Sequence, residues 1–73
     1  MSQQQIFNGM VQILRVNIIT TTWNIIRDYA EVADELGVYM VEDLEAERQY
    51  IADCYTAQGY IVERVNLMYV TEE

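Results

Sequence analysis

Two apolar segments, residues 10–22 and 60–70, limit the folds open to this chain of 73 residues. The first segment carries eight β-branched side chains in thirteen positions. Neither segment gathers its apolar residues on one side of a helix, whereas both can be read with the period of two that is typical of strands. We therefore predict a β-strand near each end of the domain.

The period of two divides the apolar side chains of each predicted strand between two faces. In the first strand the two faces are Leu14, Val16, Ile18 and Thr20 against Val11, Ile13 and Ile19. In the second they are Ile61, Val65, Leu67 and Tyr69 against Tyr60, Val62, Met68 and Val70. Because a two-stranded sheet is marginal alone in water, such a sheet would leave an apolar face and open edges for a partner.

The segment between these strands is acidic and begins with an amphipathic helix over residues 23–36. Thr22 or Asn24 can cap its start, and Gly37 suits the left-handed position that follows a helix. Its apolar stripe recurs at helical spacing and consists of Ile25, Tyr29, Val32 and Leu36. We expect this stripe to face the core and the acidic side chains to face solvent.

A second helix is predicted over residues 42–58, closed by Gly59, with residues 38–41 as a short strand or an apolar link. Its core stripe is Leu44, Ile51 and Tyr55, widened by Tyr50, Cys54 and Ala57. Its opposite side is polar and consists of Glu42, Glu45, Gln49, Asp53 and Thr56. Both helices are thus expected to turn their acids outward.

Taken together, the pattern predicts an α+β domain of order β-α-(β)-α-β, with two amphipathic helices on one face of a small sheet. We expect residues 1–8 to be a frayed polar lead-in and residues 9–71 to form a single compact α+β domain. The uncovered apolar face and open edges predict a homodimer that joins the sheets or packs them face to face. The alternative is an all-α helical bundle in which the β-rich ends are buried helices.

The few reactive residue types restrict the chemistry. There is one cysteine, Cys54, and no histidine, so an intrachain disulfide is impossible and zinc and haem lack their usual ligands. Acid–base catalysis would depend on Asp and Glu alone, and no pair of them lies in an obviously apolar cleft. We expect no enzyme activity, no cofactor and no metal.

The net charge of −8, with no lysine, disfavours direct binding to nucleic acid or to an anionic membrane. The first residues lack a basic region, and the apolar run after them is interrupted by Gln12, Arg15 and Asn17. Neither a signal peptide nor a membrane span is predicted. A cytoplasmic protein is the expectation.

Nine of the twelve carboxylates lie between residues 28 and 53, against the single arginine Arg48. The candidate binding carboxylates are those that the helices turn outward, namely Asp34, Glu35, Glu42, Glu45 and Asp53. A dense negative strip can imitate the spaced charges of a nucleic-acid backbone or dock into a basic groove. The ordinary alternative is a solvated helix face.

Tyrosines are the second candidate feature, because tyrosine offers a large contact area with few rotors and a polar tip. Tyr39 in the link and Tyr60 after Gly59 are the expected interface anchors, unless they merely rim the core.

These features predict a small acidic protein-binding module that inhibits or masks a basic surface, such as the groove of a nucleic-acid enzyme. In size and composition the chain resembles the small inhibitors that phages and mobile elements make, a likeness of type and not of family. The alternative function is a self-assembling structural subunit whose acids only keep it in solution.

Overall fold

The computed structural model describes residues 6–7, 11–38, 41 and 43–71. Its elements in chain order are β1 (Ile6–Phe7), β2 (Val11–Thr20), β3 (Asn24–Asp28), α1 (Tyr29–Leu36), α2 (Leu44–Ala57) and β4 (Val62–Thr71). The predicted α+β class is confirmed. The all-helical alternative is wrong because both β-branched ends form long strands that pair with each other.

β2 is the central strand of an antiparallel sheet. β4 pairs with it over nearly its whole length, from Val11 opposite Thr71 to Thr20 opposite Val62. β3 pairs with residues 15–19 of β2, and β1 pairs with residues 11–12. Because residues 11–12 also pair with β4, β1 must lie along the same edge of β2 as β3. The sheet therefore has β4 at one edge and two short strands sharing the other.

The helix predicted over residues 23–36 is wrong in its first part, where the chain forms β3. A turn stabilised by the Thr20 side chain, which accepts a hydrogen bond from the Trp23 N–H at 2.8 Å, leads directly from β2 into β3. Pairing with β2 satisfies the backbone N–H and C=O groups along one edge of β3. Ile25, opposite Ile18, still packs against the core. The N-cap of α1 is accordingly Asp28, not the predicted Thr22 or Asn24.

The end of α1 follows the predicted glycine signal, whereas the cap of α2, which begins at Leu44 and not at residue 42, was not predicted. Gly37 ends α1 with φ of 74°, and its N–H reaches the carbonyl oxygens of the last turn. The Asp43 carboxylate accepts a hydrogen bond from the Ala46 N–H at 2.6 Å and so caps the start of α2. In the link, Val41 is buried but lies outside any strand.

Two β-bulges change which side chains reach the core. In β2 the register shifts between Ile13 and Arg15, so Leu14 is an extra residue without a partner on β4. Ile13 is consequently fully buried, whereas Leu14 is 41% exposed. The predicted faces of β2 are therefore wrong at these two positions, because a strict period of two cannot pass through a bulge. Glu63 is the extra residue of the second bulge, in β4.

One hydrophobic core lies between the helices and the sheet. α1 packs on β2 and β3, and α2 packs on β4. The largest fully buried side chains come from both layers and are Ile13, Val16, Ile18, Tyr29, Val32 and Ile51. The predicted stripe residues Tyr29, Val32, Ile51 and Tyr55 are all buried.

The opposite face of the sheet is mixed rather than uniformly apolar. Asn17 lies at its centre, opposite Asn66 on β4 and Ile26 on β3. Arg15 and Met68 form the next cross-strand pair along it. We refer to this side as the open face.

Candidate functional site

The outer side of α1 carries three exposed carboxylates, Glu31, Asp34 and Glu35. Arg27, at the end of β3, binds Glu35 through two hydrogen bonds of 2.7 Å and lies 3.6 Å from Glu31. The charge-assisted hydrogen bonds from Arg27 lower the pKa of Glu35 below its ordinary value. Glu35 is therefore a carboxylate whose charge is largely balanced within the protein.

The outer side of α2 carries two further exposed carboxylates, Glu45 and Asp53. Glu45 accepts a hydrogen bond from Arg48 at 2.7 Å, and Asp53 accepts one from Gln49 at 2.9 Å. The Tyr50 hydroxyl donates to the Leu36 carbonyl oxygen at 2.9 Å. This bond holds the end of α1 against the middle of α2, so that the two helices present one layer.

We name the exposed carboxylates of this layer the acidic helix surface; its members are Glu31, Asp34, Glu35, Glu45 and Asp53. Arg27 compensates Glu31 and Glu35, and Arg48 compensates Glu45. Within the described residues, Asp34 and Asp53 form no ion pair. They are the members whose charge is most available to an external cation.

One carboxylate of α2, Glu47, is the exception to the expected outward orientation of the helix acids. It is 5% exposed and accepts a hydrogen bond from the Tyr29 hydroxyl at 2.8 Å. Burial raises the pKa of Glu47, an effect partly offset by this bond, and burial together with the bond raises the pKa of Tyr29. The pair ties α1 to α2 across the core.

The sequence contains a signal for this buried carboxylate. Glu47 falls between Leu44 and Ile51 at the three-then-four spacing of the core stripe. Tyr29 likewise occupies the stripe of α1, and its hydroxyl is the polar group that a buried tyrosine must satisfy. Reading the stripe by position, without regard to residue type, would have placed the two together.

The two tyrosines predicted as interface anchors are Tyr60, which the structure describes, and Tyr39, which lies outside the described residues. Tyr60 is half-buried and packs against the core, with its ring centroid 5.5 Å from that of Tyr55. Its neighbour Ile61 is 68% exposed, and Trp23, in the turn before β3, is 66% exposed. Tyr39 and Glu42 lie outside the described residues.

A groove of about 350 Å³ between α2 and β4 is lined by charges of both signs, Glu45, Arg48, Glu63 and Arg64. No group of three or more Cys, Asp or Glu side chains described here could hold a metal ion. Among the described residues no helix has the length and apolar character needed to cross a membrane.

Comparisons with protein-family models, curated protein sequences and solved structures gave no match.

Proposed function

We propose that this protein is a small binding module that uses the acidic helix surface to cover a basic surface of a partner protein. The observation that carries the proposal is the pair of exposed carboxylates, Asp34 and Asp53, that no described arginine neutralises. A basic partner supplies the missing counter-charge. Complementary potentials of this kind speed association and exclude partners of the wrong sign.

The partner class that fits best is a cytoplasmic nucleic-acid enzyme or its binding groove. Such a groove presents spaced cations to phosphates, and carboxylates on successive helix turns offer a similar series of negative charges. The protein would then act as an inhibitor of the phage type, by occupying the groove in place of the nucleic acid. Tyr39, which follows α1 in the sequence, would supply apolar contact area.

The rigid attachment of the surface supports this role. α1 and α2 share one core with the sheet, and the Tyr29–Glu47 and Tyr50–Leu36 hydrogen bonds fix the helices relative to each other. A pre-ordered surface loses little conformational entropy on binding. The short helices therefore present their carboxylates in a defined arrangement.

The test uses the immobilised protein to isolate its partner from a lysate, followed by binding titrations with the purified partner. Asp34→Asn with Asp53→Asn should raise the dissociation constant at least about tenfold, equivalent to about 1.4 kcal/mol, and flatten its salt dependence. Duplex DNA should displace the partner in proportion to its concentration if the two compete for one groove.

The matched control removes two exposed carboxylates outside the acidic helix surface, Asp28→Asn with Glu63→Gln. This variant has the same net charge as the double Asn variant, so only the position of the charge differs. Equal weakening by both variants would show that binding depends on the net charge of the protein and not on the position of the carboxylates. Unchanged binding in the double Asn variant would identify the acidic helix surface as an ordinary solvated face.

A further inference from the structure

The strand β4 offers a second interaction surface that does not involve the acidic helix surface. Within the part of the chain that the structure describes, β4 pairs with β2 alone, so its outer edge of ten residues is unpaired. The other edge of the sheet is divided between β1, of two residues, and β3, of five. Short strands are poor templates for pairing, whereas a long free edge is a ready one.

Protection against edge pairing is confined to the first half of β4. The bulge at Glu63 and the charges of Glu63 and Arg64 are devices that natural sheets use to block pairing. Residues 65–71 contain no charge, no proline and no glycine. In this second half Met68, Tyr69 and Val70 are 41%, 45% and 46% exposed.

We propose that the free edge of β4 pairs with the same edge of a second copy of this chain, in antiparallel orientation, to give one continuous sheet. A twofold axis perpendicular to a sheet requires that some residue lie opposite its own copy. Met68 is the middle of the uncharged run 65–71 and is that residue. Leu67 then lies opposite Tyr69 of the partner subunit, an apolar pair on the helix-covered side.

The charge distribution favours this occupant and this register. α2 borders the groove over residues 62–65, at the charged end of β4. With Met68 at the twofold axis, Val65 lies opposite Thr71 of the partner subunit. The two copies of Val65 are then about 20 Å apart along the strands. That distance exceeds the Debye length of about 10 Å at 0.1 M salt, so the charged ends of the two β4 strands repel each other weakly.

The open face is a weaker candidate for the contact between copies. Its centre is polar because Asn17 lies opposite Asn66. The Asn17 side chain donates a hydrogen bond to the Ile25 carbonyl oxygen at 3.1 Å. Face-to-face packing would have to desolvate these amides and the neighbouring Arg15. Edge pairing leaves them in water.

Sedimentation velocity across a concentration series tests the proposal. The unmodified protein should be dimeric at roughly 100 µM, and Met68→Lys with Val70→Lys should raise the dimer dissociation constant at least about tenfold. The control is Ile26→Lys, which places a lysine on β3 at a site 54% exposed. It should leave the dimer intact.

A monomeric wild-type protein at that concentration would overturn the proposal, as would dissociation by Ile26→Lys alone. Cross-linking decides the matter if the double lysine variant fails to fold. Opposed residues in antiparallel strands have Cα atoms about 4.5–5.5 Å apart, within the range of a disulfide. In a Cys54→Ala background, oxidation should therefore join two copies of Met68→Cys but not two copies of Ile26→Cys. Absent or equal cross-linking of the two would contradict the pairing.

Discussion

The four arginines divide into two pairs whose surroundings differ. Arg27 and Arg48 lie on the helix-covered side of the molecule, and each binds a carboxylate at 2.7 Å. Arg15 and Arg64 belong to β2 and β4 at positions that face away from the core, and neither forms an ion pair with a described residue. The helix layer thus carries most of the described carboxylates together with two of the four arginines.

This difference shows that the negative charge of the chain is not spread evenly. Carboxylates concentrate on the helices because their polar sides face solvent there, while the strands contribute mainly apolar and amide side chains. The sheet is therefore exposed through the open face and the β4 edge. The helices expose mainly charged side chains. The two proposed contacts use these two regions separately, so each can be disrupted without the other.

The largest expected effect contrasts the two sides of β2 at adjacent positions. Ile18→Ala removes a fully buried side chain and should cost about 2–5 kcal/mol of the free energy of unfolding. Ile19→Ala, one residue further on the partly exposed side, should cost about 1 kcal/mol or less. Urea unfolding followed by circular dichroism measures both.

A domain of this size has only about 3–5 kcal/mol of net stability, so Ile18→Ala should be largely unfolded at 25 °C. Similar losses in the two variants would show that the open face is covered to the same degree as the core. Greater loss in Ile19→Ala would reverse the assignment of the two faces.

A smaller effect is expected at the hydrogen bond that joins the helices. Tyr29→Phe keeps the ring in the core but leaves the Glu47 carboxylate buried without its donor. A hydrogen bond to a charged group contributes about 1.5–3 kcal/mol, and we expect a loss in that range at pH 7. The loss should shrink in acid, where Glu47 becomes protonated. Tyr55→Phe, at a second tyrosine of the same core, is the matched control and should cost less, because its hydroxyl accepts only a longer hydrogen bond, of 3.5 Å, from Arg27.

The strands and the second helix could be predicted from the sequence because their signals are local. β-branched residues in a run and a glycine after each helix determine most of the boundaries that the structure shows. Gly37 in particular ends α1 as its position predicts.

β3 could not be predicted because its residues also fit a helical stripe. Ile25 lies four positions before Tyr29, and it reaches the core equally well from a strand. Only the neighbouring β2, which offers unpaired backbone groups along one edge, decides between the two. The bulge at Leu14 could not be predicted for the same reason. Leu14 is an extra residue only in relation to the partner strand β4.

The candidate site was predictable in part for a related reason. Exposure of Asp34, Glu35, Glu45 and Asp53 follows from helical periodicity. The compensation of Glu45 by Arg48 is also local, because the two residues are three apart in α2. The compensation of Glu35 is a tertiary property, because Arg27 meets Glu35 only where β3 turns into α1.

The smallest expected effect has the opposite sign and separates the buried carboxylate from the exposed ones. Glu47→Gln keeps an oxygen that can accept the Tyr29 hydrogen bond but removes the charge. Burial raises the pKa of Glu47 in the folded state, so ionisation is less favourable there than in the unfolded chain. This penalty is absent at low pH, grows as pH rises through the ordinary carboxyl pKa towards the raised one, and is constant above it.

The Gln variant should therefore be slightly more stable than the wild type at pH 7 and equal to it near pH 3, as measured by thermal unfolding across a pH series. Glu35→Gln is the control of opposite sign, because the pKa of Glu35 is lowered by Arg27. Its wild-type stabilisation is present above the ordinary carboxyl pKa and is lost as pH falls through the lowered value. A Glu47→Gln variant that loses stability at pH 7 would show that the buried charge itself holds α1 and α2 together.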